Sequence, residues 1–77
     1  MSSVIEEVTA GLREARNSLR IAEERLDAYM QGTVILPAGV TYQDLKDEVT
    51  ACRAVVAGAQ RNYDNTIAAQ NRRKLVV

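Results

Sequence analysis

Six carboxylates stand in the first 27 residues: Glu6, Glu7, Glu14, Glu23, Glu24 and Asp27. Grouped acids are the raw material of general acid–base catalysis and of sites for hard cations. Arginines lie three or four residues from several of them, Arg20 before Glu23 among these, and that is the spacing of ion pairs on a helix surface. The pattern is therefore a solvated charged face. There is no histidine, and Cys52 is the only cysteine, so neither a Ser–His or Cys–His pair nor a Cys/His zinc quartet can be assembled. An intrachain disulfide is excluded as well. No Gly-rich phosphate loop and no nucleophile elbow occurs. The expectation is a protein that is not an enzyme, with no catalytic residue, no cofactor and no metal.

The basic residues are as little specialised. Lysine and arginine number ten, equal to aspartate and glutamate, whereas a nucleic-acid-binding domain carries a basic stripe. The distribution is uneven, however. Residues 1–31 hold six acids and four arginines, net −2, while residues 41–77 hold four acids and six bases, net +2, ending in Arg72, Arg73 and Lys74. Opposite net charge on neighbouring helices favours antiparallel pairing, within a chain or between chains. The aromatics are Tyr29, Tyr42 and Tyr63, and packing at a wet edge accounts for them without a ligand.

Two elements must carry these side chains. Ser3 and Glu6 have capping-box spacing, and from there Ile5, Val8, Leu12, Ala15, Leu19, Ala22, Leu26 and Tyr29 recur in unbroken steps of three and four, a heptad seam. Gly32 can close that helix in the left-handed conformation. Thr41 and Asp44 repeat the capping signature, and a second seam reads Tyr42, Leu45, Val49, Cys52, Val56, Ala59, Tyr63 and Thr66. Folded back on itself, the chain brings together residues whose numbers sum to 71, from Tyr29 with Tyr42 to Ile5 with Thr66, and the seams stay in phase throughout. In four central layers a small residue meets a larger one, as close packing requires. The predicted fold is an all-α antiparallel two-helix hairpin in one domain, with a helix over about 3–31, a loop over 32–41, a helix over about 42–71 and a basic tail over 72–77.

The loop, 32-GTVILPAGVT-41, is apolar where loops are usually polar. Val34, Ile35, Leu36 and Val40 either fold back over Leu26, Tyr29, Tyr42 and Leu45 to cap the hairpin, or stay in water as a docking tip. Thr33–Val40 can form a short extended segment or a tight hairpin, since Thr-Val-Ile favours strand and Pro37-Ala38-Gly39 supplies turn residues. Off its seam, helix 2 carries Ala51, Ala54, Val55, Ala57, Gly58, Ile67, Ala68 and Ala69, a small and apolar track fit for a neighbour, while helix 1 offers mainly Val4, Ile21 and Met30. A core this small supplies no more than about 3–5 kcal/mol unaided, so a protein partner or sister subunits are expected. Candidate partner-binding residues are Val34, Ile35, Leu36, Val40, Val55, Gly58, Arg72, Arg73 and Lys74. No apolar run approaches the roughly 18 residues of a membrane span and no signal peptide is apparent, so a cytoplasm is the expected location.

The segment 22-AEERLDAYMQG-32, the β-prone connection and 41-TYQDLKDEV-49 together resemble the small head-tail joining protein W family of tailed phages. The likeness rests on Met30 and Gly32, on Thr41 with Asp44, Leu45 and Lys46, and on the basic residues Arg72 to Lys74. The connection is shorter than that family's β-hairpin and helix 2 is longer. The resemblance implies a virion protein that self-associates in the head-tail connector, its loop and tail touching the adjoining layers. The segment 59-AQRNYDNTIAAQN-71 is similar to a helix of the LemA family, which is longer and membrane-anchored. The alternative function is a small regulatory binder or inhibitor of a host protein complex.

Overall fold

The computed structural model describes residues 3–76, and the side chains as far as Arg72. The chain is a helical hairpin of two elements, α1 (Val4–Met30) and α2 (Tyr42–Val76), forming a rod 59 Å long and 22 by 20 Å across. Each helix starts where its cap dictates. The Ser3 hydroxyl accepts from the Glu6 amide at 3.1 Å and the Glu6 carboxylate accepts from the Ser3 amide. The Asp44 amide donates to the Thr41 hydroxyl at 3.2 Å and the Thr41 amide donates to the Asp44 carboxylate at 2.9 Å. Two amides that would otherwise lack partners are satisfied at each start.

At the end of α1 the Gly32 amide donates to the Tyr29 carbonyl and the Thr33 amide to the Ala28 carbonyl, both at 3.0 Å. Those paired bonds define a Schellman closure. It requires a positive φ, which Gly32 supplies at 75°. Replacing Gly32 by alanine should therefore cost about 1 kcal/mol through left-handed strain. A urea midpoint unchanged from wild type would show that the closure can re-form without it.

Seam and layers follow the sequence pattern. Leu12, Ala15, Ala22, Leu45 and Val49 form the buried core, and every other seam position except Tyr42 is half-buried. At the loop end the Tyr29 and Tyr42 rings lie 5.7 Å apart between centroids, Lys46 Nζ sits 5.3 Å from the Tyr42 centroid, and the Tyr42 hydroxyl points at Met30 Sδ. No buried side chain is polar or charged among the described residues. Within the core, apolar shape rather than polar pairing keeps the layers aligned.

Three expectations need correction. The connection contains no strand among the described residues. It is an extended run closed by a turn in which the Val40 amide donates to the Pro37 carbonyl at 3.1 Å, with Gly39 at φ 84° as the third residue of a type II turn demands. A type II turn splays the segments it joins instead of pairing them as a hairpin. The second correction is at the C-terminal end, where α2 continues to Val76 because Asn71 to Val76 contains no glycine or proline to stop it. Residues 72–76 of the segment expected to be a loose basic tail, or an extended arm, are helix; Val77 lies outside the described residues. Since Val4 faces the level of Ile67, the last turns of α2 run past the start of α1 by roughly 13 Å at 1.5 Å per residue. Lastly, Arg20 pairs with Glu24 rather than Glu23, because Arg53 of α2 takes Glu23.

Candidate functional site

A heptad seam has two flanks, and in this hairpin they are built differently. One flank follows Thr9, Arg16, Glu23 and Met30 on α1 and Lys46, Arg53, Gln60 and Ile67 on α2, residues seven apart. Polar bridges cross it: Arg16 donates to Gln60 at 2.7 Å, and Arg53 lies 3.9 Å from Glu23. Near the loop it is closed by Met30, Tyr42 and Lys46. Each exposed bridge is worth under about 1 kcal/mol, and hollows remain beside them, one lined by Leu26, Met30 and Val49 and one by Thr9, Leu12 and Tyr63.

The other flank follows Val4, Gly11, Ser18 and Arg25 on α1 and Glu48, Val55, Asn62 and Ala69 on α2. A single ion pair crosses it among the described residues, Arg25 with Glu48 at 3.2 Å, next to the loop. Beyond it the flank is open. Gly11, Ala15, Ser18 and Cys52 line a shallow hollow with Val55 at its edge, and Val55 is 60% exposed. Ile21 and Val4 are exposed too. An added Cβ at Gly11 would meet nothing within 4 Å, so the hairpin's own packing does not call for glycine there, although glycine inside a helix costs about 1 kcal/mol relative to alanine.

The loop leans on this same flank. Val34, Leu36, Pro37 and Val40 border a second hollow with Leu45, beside the Arg25–Glu48 pair. Leu36 is turned in and half-buried, Val34 and Val40 are partly exposed, and Ile35 stands 95% exposed. Both readings of the loop thus hold in part: Leu36 caps, and Ile35 is the tip.

The sequence-predicted residues accordingly fall into three places. Val34, Ile35, Leu36 and Val40 gather at one end of the rod, Val55 and the half-buried Gly58 lie near its middle, and Arg72 is exposed at the far end. The side chains of Arg73 and Lys74 lie outside the described residues. The track on α2 does not form one face, since Ile67 belongs to the bridged flank while Ala54, Ala57 and Ala68 point outward by their spacing. Conversely, sequence reasoning undervalued α1, which supplies Gly11, Ala15 and Ser18 to the hollow. The signal was present as the seven-residue recurrence of Val4, Gly11 and Ser18.

Chemically, these surfaces offer van der Waals contact, apolar burial and peripheral ion pairing. No helix of the described residues is long and apolar enough to cross a membrane, and no cluster of three or more metal-ligating side chains occurs among them. No family model, curated protein or solved structure matches the chain.

Proposed function

We propose that this chain is a non-enzymatic structural adaptor that self-associates and docks on a larger assembly, as a small phage head-tail connector protein does. The observation that supports this reading is that the apolar loop and the hollow beside Val55 lie on the same flank of the rod, on either side of the Arg25–Glu48 pair. Exposed Val4, Ile21, Val34, Ile35, Val40 and Val55 leave on one side of a thin rod the apolar surface that a neighbour would bury, at about 1.5–3 kcal/mol for each aliphatic side chain fully covered. The resemblance of residues 22–32 and 41–49 to the head-tail joining protein W family supplies the kind of assembly. Sister subunits and an adjoining protein layer are the partners under this reading, and the virion or host cytoplasm is the location.

Light scattering over a wide concentration range tests it. A connector subunit is expected to reach masses of about six copies or more, as closed rings do, and Ile35→Asp is expected to remove that higher-order species without loss of helicity. The inhibitor reading draws on the isolation of Ile35 at the hairpin's tip, a shape suited to a pocket on a foreign protein. On that reading Ile35→Asp leaves the chain's own mass untouched at every concentration, which would overturn the adaptor.

A further inference from the structure

We propose that residues 33–36 dock as an added β-strand on the open sheet edge of a protein partner. This rests on the reading of the loop as a docking tip and names how it docks: the backbone supplies the bonds, and Ile35 is the side chain that the partner reads.

The first argument is an account of backbone hydrogen bonds. From Thr33 to Pro37 the chain runs without a turn or a bend. The Thr33 amide and hydroxyl both donate to the Ala28 carbonyl, at 3.0 and 2.9 Å, and the next bond along the loop is the one from the Val40 amide to the Pro37 carbonyl. Between them, the amides of Val34, Ile35 and Leu36 and the carbonyls of residues 33–36 have no partner among the described residues. Thr33, Val34 and Ile35 are β-branched, the composition of strands, and Leu36 is held extended by the proline that follows it. Exposure alternates as on a strand laid against a body: Val34 is 41% and Ile35 95% exposed, and Leu36 is half-buried.

These unpaired groups select the occupant. An apolar pocket or a lipid acyl layer that covered Ile35 would strip water from the neighbouring amides and carbonyls and return no hydrogen bond, a cost that offsets the gain from burying the side chain. A sheet edge bonds the same groups directly, and its pockets take alternate side chains. A second copy of residues 33–36 would give only a short two-stranded ribbon, which is marginal in water. An existing sheet already has the further strands that make such pairing hold.

The edge can be named as well. Amides two residues apart share one edge of an extended chain. Because the Thr33 amide is directed at Ala28 of α1, the edge of Thr33 and Ile35 faces the hairpin, and the edge of Val34 and Leu36 is left for the partner. Pro37 has no amide and ends the run.

The test uses the full chain, isotopically labelled at nitrogen, titrated with a macrocyclic peptide that presents one free strand edge of alternating threonine and valine. Amide exchange at Val34 and Leu36 is expected to slow by about tenfold or more, as for hydrogen-bonded amides, while Ile35 keeps its free rate. In chains made by chemical synthesis, N-methylation at Val34 is expected to weaken binding of the macrocycle by about tenfold, the effect of losing an inter-strand bond pair, and N-methylation at Ile35 to leave it unchanged. Circular dichroism checks that both chains keep their helices; if one does not, the exchange rates of the unmodified chain decide. Equal loss at the two positions, binding without protection at Val34 and Leu36, or no binding at millimolar peptide would overturn the proposal. Protection that appears in the chain alone and rises with its concentration would assign the edge to a second copy, which also overturns it. Failure of the adaptor reading looks different: a chain that stays monomeric by light scattering yet shows the alternating protection loses self-association and keeps the strand, and one that assembles without that protection loses the strand alone.

Discussion

Truncating Leu45 to alanine is expected to leave the chain largely unfolded at room temperature. Leu45 is 2% exposed, faces Leu26 across the seam, and forms the floor of the hollow beneath Val34, Leu36 and Val40. Removing a buried leucine side chain costs about 2–5 kcal/mol, because transfer energy is lost and a cavity is left. A chain of this size has only about 3–5 kcal/mol to lose. The change also takes away the surface on which Leu36 rests, so the loop should loosen with the helices. Far-ultraviolet circular dichroism and a urea titration at fixed protein concentration measure it. A midpoint close to wild type would mean that the core is elsewhere than the Leu45 layer.

Enlarging Ala22 to leucine should do nearly as much harm by the opposite route. Ala22 is 1% exposed and meets Val49 where the two backbones approach through a small residue. A larger side chain there has no void to enter and must push the helices apart, at about 1–3 kcal/mol for overpacking. Separation should be felt one residue along on each flank, at Glu23–Arg53 and Arg25–Glu48. Ala10→Leu is the control, since Ala10 is an exposed helical position, and its urea midpoint should stay within about 0.5 kcal/mol of wild type as surface substitutions do. Equal effects at the two alanines would refute the layer assignment.

Both effects concern the seam, and the seam is where sequence was most informative. Steps of three and four from Ile5 to Tyr29 and from Tyr42 to Thr66 can be satisfied by one helix geometry, and a constant sum of facing residues can be satisfied by one antiparallel register. Ser3–Glu6, Thr41–Asp44 and Gly32 are equally direct, because each acts on backbone groups within a few residues of itself. Local bonding of that kind needs no knowledge of the rest of the chain. The end of α2 is less legible, because a cluster of bases reads as a tail although charge does not stop a helix where glycine and proline are absent.

Amino-acid order by itself thus determined the helices, their caps, their register and the all-apolar composition of the core. Tertiary structure alone decided which flank of the seam is bridged and which is open. A heptad pattern is symmetric about its seam and ranks neither side; the difference arises only when Arg16 finds Gln60, Arg53 takes Glu23 and the Pro37–Val40 turn brings Leu36 to the hollow that Leu45 lines on the other side. These contacts join residues from 9 to 44 positions apart, beyond the reach of local periodicity. The same folding separated Ile35 from Leu36, neighbours of like chemistry, by turning one inward and leaving the other in water.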